Sequence, residues 1–332
     1  MAGELENPQL LERETPQGPD IYLFPGQGGL TVGIGRREYE ESERARAVFN
    51  IADNFMGGDK SISSLCFEGP VEDLSRSENA HVALVTVGIA KLVAGIEAGR
   101  ITTRPKYVVG CSAGVIPSLV ANGVISFREG LEIAKERGIL TQEASNGLDA
   151  GMETIIAVRS AAGQIERLAL EACQQETDEY GGVIAVSGMY SPTSVGLTGD
   201  RERMVGVNAR LKEHVKTFAP QTGITIVSHS PYMEPAAREF GKFLGKYEGK
   251  DPWSPQVMNG DIVRSGRTIL SRLPQELLDP VMLTASTNRI IAEGGVNNVT
   301  EFANGLDEKP RWARFVGETV GQQIDGFTQT VL

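Results

Sequence analysis

The sequence predicts an α/β fold carrying a smaller inserted block of strands and helices, and three observations lead there. A short β-branched run, Lys106-Tyr107-Val108-Val109, enters Gly110-Cys111-Ser112-Ala113-Gly114 and continues as a helix. A second apolar run, Asp20-Ile21-Tyr22-Leu23-Phe24, ends in the glycine-rich turn Pro25-Gly26-Gln27-Gly28-Gly29. Between residues 147 and 223 the pattern reads strand, helix, strand, strand, helix, strand, a self-contained ferredoxin-like plan.

Taken in order, the chain opens with an acidic, Pro-containing stretch, read as a flexible arm over residues 1–19. It has neither the basic nor the apolar section of a signal peptide. Tyr39 to Asn54 reads as a charged helix, and Asn79 to Ala98 holds a helix so evenly apolar that it belongs in a core. After the Gly-x-Ser-x-Gly turn, Pro117 falls one turn into the next helix, which predicts a kink or a late helix start. Ser126 caps the following helix with Glu129 three residues on, and Arg137 lies at the edge of its apolar stripe. The β-branched run Gly223 to Ser228 predicts a strand ending at His229, Leu277 to Ile291 a helix, and Arg311 to Leu332 an amphipathic helix.

Composition narrows the function classes. With 332 residues, the chain has room for a large domain or two bodies sharing a core. No apolar run approaches the roughly 18 to 20 residues of a membrane span, so no membrane partner is expected. A net charge of -11 argues against nucleic acid, which needs a basic face. Cys66, Cys111 and Cys173 lack metal-type spacing and suit a reducing, cytoplasmic setting without a metal site.

The chemistry centres on Ser112. Strand, Gly-x-Ser-x-Gly and helix form a nucleophile elbow, with the serine hydroxyl exposed at a strand's carboxyl end beside helix N-terminal amides. Such a serine needs a base, and of His81, His214 and His229 only His229 ends a predicted strand, as the partner would have to. A strand-end histidine also reads as structural, and Arg137 as a snorkelling surface residue, so the residues alone leave both open.

Several segments in order resemble the malonyl-CoA:acyl carrier protein transacylase family, the acyltransferases of fatty-acid and polyketide synthesis. They are Phe24-Pro25-Gly26-Gln27-Gly28, Gly110-x-Ser112-x-Gly114, Ala121-x-Gly123-Val124-Ile125-Ser126-Phe127, Arg137-Gly138, Ser228-His229-Ser230-Pro231 and Asp279-Pro280-Val281. The resemblance implies an α/β-hydrolase-like large domain with a mostly parallel sheet at 20–146 and 224–332, and a ferredoxin-like small domain at 147–223. It implies Ser112 as nucleophile, His229 as base, and the backbone amides of Gln27 and Ala113 as the oxyanion hole. The Glu276 carbonyl would orient His229, and Arg137 would hold an acyl carboxylate through paired charge-assisted bonds. The implied reaction passes a malonyl-type group from acyl-CoA through a serine ester to the phosphopantetheine of an acyl carrier protein, with no bound cofactor.

The chain departs from the family's usual residues at several pocket positions. Cys111 and Val115 replace a histidine and an acidic residue around the nucleophile, and His81 opens a usual Gln-Pro-Ala. Tyr190 stands for an asparagine near the acyl group, Val281-Met282-Leu283 for Val-Gln-Trp or Val-Arg-Trp, and Ala303-Asn304 for a late Gly-Pro. His81, Tyr190 and Met282 are therefore candidate substrate-binding residues. These changes leave room for an unusual acyl group, a thioester hydrolase, or a non-catalytic carrier-binding protein. Arg201, Arg203, Arg210 and Lys212, with Arg264, Arg267 and Arg272, are candidates for carrier docking, although each alone reads as a solvated charge.

Overall fold

The two apolar runs that frame the candidate site lie side by side. β1 (Asp20–Phe24) and β2 (Tyr107–Gly110) pair in parallel, with Phe24 opposite Gly110, so both strands end at one level and release their loops together. Their side chains are buried on both faces, as continuous apolar runs in a parallel sheet require. The structure, a computed structural model, describes residues 10–28, 30–57, 61–220, 226–302, 311–321, 323–324 and 326–332.

A second, mainly antiparallel sheet follows in the chain: β3 (Ala150–Ala157), β4 (Ile184–Ser191), β5 (Ser194–Asp200) and β6 (Val215–Pro220). The remaining strands are β7 (Gln256–Met258), β8 (Asp261–Val263), β9 (Val281–Met282), β10 (Asn298–Glu301) and β11 (Thr328–Val331). The larger sheet has the order β11-β10-β1-β2-β7-β8 and is parallel except for the β7–β8 hairpin. The smaller has the order β6-β3-β5-β4-β9. Helices Ile165–Tyr180 and Arg201–Leu211 pack against it over a core that includes Ile155, Leu197 and Val207. β9, from far downstream, joins it by parallel pairing of Val281 and Met282 with Gly188 and Met189. The inserted block is therefore completed by the body rather than closed on itself.

The helix Ser77–Glu97 is long and apolar enough to cross a membrane by composition, yet 89% of its most apolar window is buried. It is a core helix, packed on Phe127–Ser145 and Glu43–Met56. Phe127–Ser145 begins in a capping box: the Glu129 amide donates to Ser126 Oγ (3.2 Å) and the Ser126 amide to Glu129 Oε2 (2.7 Å). Pro117 causes no break, because Ser112–Gly114 is a 3₁₀ turn and the α-helix starts at Val115; the proline sits in the first turn, where its missing N–H costs nothing.

Four expectations change. Residues 226–228 belong to no strand, and 223–225 lie outside the described residues. The Val227 amide donates to Ser145 Oγ and the His229 amide to the Leu277 carbonyl, so these groups are satisfied without a ladder. The helix expected from Leu277 is a 3₁₀ turn, Gln275–Leu277, separated by β9 from the helix Leu283–Glu293, because Pro280 interrupts the run. The tail helix covers only Trp312–Val320; Gly321 turns the chain, and the last residues form β11. Of the arm expected at 1–19, residues 1–9 lie outside the described residues, whereas 10–19 are held: Leu11 is buried, and Arg104 donates to the carbonyls of Pro16 and Thr15.

Candidate active site

Ser112 follows β2 with φ 52°, a left-handed conformation that a serine adopts only where its surroundings impose it. The neighbouring glycines explain how. A Cβ on Gly114 would stand 2.2 Å from the Phe24 carbonyl oxygen, and one on Gly110 2.3 Å from Val115 Cα. The elbow closes this tightly only with glycine at both positions. A Cβ on Gly26 would meet Ser112 Cβ at 3.3 Å, so the Gly26-Gln27 backbone passes directly beside the serine. Gln27 turns its side chain away, donating from Nε2 to the Ser75 carbonyl at 2.8 Å.

His229 also has a left-handed backbone, φ 63°. Its Nε2 lies 2.8 Å from Ser112 Oγ, and its Nδ1 lies 2.7 Å from the Asp279 carbonyl oxygen. A carbonyl only accepts, so Nδ1 carries the proton and donates; Nε2 is then the acceptor facing the serine hydroxyl. Burial drives the His229 pKa down to about 4; the Asp279 carbonyl opposes this and the Arg137 charge adds to it. The ring is neutral at ordinary pH and available as a base. The orienting carbonyl expected from Glu276 is thus chiefly that of Asp279, with a smaller contribution from Glu276. The reason is register: the His229 amide is fixed on Leu277, and the turn carries the chain on to Asp279 beneath the ring.

The pair opens on a cavity of about 210 Å³. Gln27, His81, Ser112, Ser228 and His229 form its polar wall from the body, while Met152, Tyr190, Val281, Trp312 and Phe315 form an apolar wall from the smaller sheet and the tail helix. The rings of Tyr190, Trp312 and Phe315 stand 5.3 to 6.1 Å apart as one cluster. Trp312 and Phe315 escaped the sequence reading; their spacing of three on an amphipathic helix was the available signal. Met282 is a correction: in the two-residue β9, alternation turns Val281 to the cavity and Met282 into the core of the smaller sheet. Ala113 is buried at the first position after the serine, and Ala303-Asn304 lie outside the described residues.

Arg137 is 1% exposed and stands behind His81, its Nη1 donating to His81 Nε2 at 3.3 Å while Nη2 has no partner. Burial lowers the arginine pKa to about 10, and Glu276 raises it in part. Burial first, then the Arg137 charge, hold His81 well below the ordinary histidine range, so this ring too is neutral. Glu276, also buried, is pushed up to about 7 by burial, against the pull of Arg137. Cys111 beside the nucleophile is a buried thiol with a raised pKa and is therefore inert.

Of the proposed docking arginines, Arg203 and Arg210 both pair with the buried Glu176, while Arg272 and Arg201 make exposed pairs with Asp261 and Asp149. A larger groove of about 1110 Å³, lined in part by Arg44, Lys250 and Trp253, contains none of the candidate residues.

Comparison with known proteins agrees with this geometry. The chain is 31% identical over 278 residues to a malonyl CoA-acyl carrier protein transacylase of Bacillus subtilis (strain 168), covering 82% of this chain and 83% of that one. It is 28% identical over 286 residues to the protein of the same name from Escherichia coli (strain K12), covering 86% and 88%. The crystal structure of an acyl carrier protein S-malonyltransferase from Vibrio cholerae superposes with a TM-score of 0.80 at 25% identity, covering 95% and 97%. Residues 21–271 match the family model of the acyl transferase domain, and the chain belongs to that family.

Proposed function

We propose that this acyl transferase moves a malonyl-type group from coenzyme A to the phosphopantetheine thiol of an acyl carrier protein, by way of an ester on Ser112. The observation that carries the reading is the 2.8 Å approach of Ser112 Oγ to a His229 Nε2 whose other nitrogen is held on a carbonyl. Ser112 Oγ attacks the thioester carbonyl while His229 Nε2 takes its proton. The oxyanion turns to the backbone amides of Gln27 and Ala113, each contributing on the order of 3 kcal/mol. Collapse expels the coenzyme A thiolate, which recovers the proton from His229. In the second half the carrier thiol gives its proton to His229, attacks the serine ester and leaves as the acyl carrier thioester, restoring the Ser112 hydroxyl.

The acyl carboxylate enters beside His81 and takes the partnerless Nη2 of Arg137, an interaction that acetyl lacks. The machinery is made of side chains and amides alone, with acyl-CoA as substrate rather than bound cofactor. The three unpaired, buried thiols suit a reducing cytoplasm.

Intact-protein mass after incubation with malonyl-CoA, then with holo-carrier protein, tests the reading. It requires an adduct that the carrier discharges. Loss to water at the same rate without carrier means a hydrolase, and no adduct means a binding protein.

A further inference from the structure

The aromatic part of the cavity wall is assembled from two elements. Trp312 and Phe315 stand on the tail helix Trp312–Val320, whereas Tyr190 stands near the end of β4, and the three rings meet 5.3 to 6.1 Å apart in the cavity that Ser112 shares. Two glutamates tie these elements to the rest of the molecule.

Glu301 ends β10 and is 1% exposed. Its Oε2 accepts from the backbone amides of Arg311, Trp312 and Ala313 at 3.1, 3.0 and 2.8 Å. These are the donors that open a helix and have no acceptor within it, and the residue preceding the helix offers them no side-chain cap. The three amides offset the burial of the carboxylate, and the carboxylate fixes the backbone at Trp312. Its place along the sheet is also set. Glu301 pairs with Leu23 of β1, and Leu23 with Val109 of β2, three residues before Ser112. Trp312 is therefore held in register with the strand that presents the nucleophile.

Glu318, on the same helix, reaches the other sheet. Its Oε2 accepts from Ser191 Oγ at 2.6 Å and Thr193 Oγ1 at 2.9 Å, both in the β4–β5 hairpin beside Tyr190. The Tyr190 ring lies on two glycines that pair across these strands. A Cβ on Gly188 would stand 2.3 Å from Tyr190 Cε1, and one on Gly196 2.5 Å from the Tyr190 hydroxyl. The ring thus has a bed of its own, and Glu318 sets where the helix meets it.

We propose that Glu301 and Glu318 are positioning residues that fix the aromatic wall at its distance from Ser112 and so set the largest acyl group the serine accepts. The inference rests on Ser112 being the acylated residue and concerns the acyl chain rather than a carboxylate at Arg137. Neither glutamate is among the described residues that line the cavity, so each acts through the rings. Without Glu301 the first turn of the helix is released and Trp312 can leave the cavity. Without Glu318 the helix and the hairpin can part, with a smaller effect because that side chain is 33% exposed.

Single-turnover loading from acetyl-CoA and hexanoyl-CoA reads the wall, because both acyl groups are uncharged and Arg137 cancels from their ratio. The hexanoyl-to-acetyl ratio should rise about tenfold in Glu301→Ala and about threefold in Glu318→Ala. Glu301→Gln keeps an oxygen acceptor for the three amides and should stay within about twofold of wild type. The chain has two tryptophans, so acrylamide quenching in a Trp253→Phe background reports Trp312 alone. It should rise in Glu301→Ala and not in Glu301→Gln. Ratios unchanged in both alanine variants, or a Glu301→Gln shift as large as that of Glu301→Ala, overturn the proposal; if Glu301→Ala does not fold, Glu318→Ala decides. Trp312→Ala separates the layers. A shift there without one in the glutamate variants sinks the positioning alone, no shift in any of the three means the wall does not face the acyl chain, and a wild type without an adduct on Ser112 removes the serine reading beneath both.

Discussion

Ser112 and His229 are 117 positions apart and meet at 2.8 Å, each on a left-handed backbone that the surrounding turns enforce. Because the far nitrogen of the ring is held by the main-chain carbonyl of Asp279, the pair is oriented without a third side chain. His229→Ala should slow single-turnover acylation by about 10³-fold or more. Asp279→Ala should stay within about threefold, since the carbonyl survives the substitution. A large loss in Asp279→Ala would mean that the carboxylate acts.

The neutral state of His229 fixes a pH dependence. With a pKa near 4 in the folded chain, the base stays unprotonated, and acylation of an uncharged acyl group should hold its plateau down to about pH 5. Stability behaves differently. His229 and His81 bind a proton less readily folded than unfolded, where the ordinary value of 6.5 applies. The contribution of His229 is therefore complete above pH 6.5 and is lost as pH falls toward 4, by roughly 1 kcal/mol per pH unit, and that of His81 is lost in the same direction. Melting temperature measured from pH 7 to 4.5 should fall less steeply in His81→Gln.

Gly114 has no room for a side chain against the carbonyls of Phe24 and Pro25. Gly114→Ala should cost about 3 kcal/mol of stability and remove acylation by pushing the elbow off β1. Urea denaturation checks the first effect. A variant as stable as the wild type would show that the elbow tolerates a wider turn.

The legibility of these features in the sequence follows their range along the chain. The elbow, the capping box at Ser126 and the core helix Ser77–Glu97 are local patterns, each made by residues of one continuous stretch of chain. The identity of the carbonyl that holds His229 was not legible, because it depends on how a turn fifty residues away is threaded. Met282 was misplaced for a similar reason: in a strand of two residues nothing in the sequence says which side chain faces the cavity. The tail looked helical throughout because Thr328–Val331 gains its strand character only by pairing with β10.

The aromatic wall should govern the size of the acyl group. Trp312→Ala removes one ring from the cluster with Tyr190 and Phe315, so it should raise the loading of branched or longer acyl groups relative to malonyl. Competition between two acyl-CoAs, read by adduct mass, measures the change. An unaltered preference would place the acyl chain elsewhere.

The measurement that reaches the central claim most directly is peptide mapping of the protein after brief exposure to malonyl-CoA. The account requires a single acylated peptide, the one containing Ser112, and no acylation in Ser112→Ala. An acyl group found on another residue, or retained in Ser112→Ala, would contradict it.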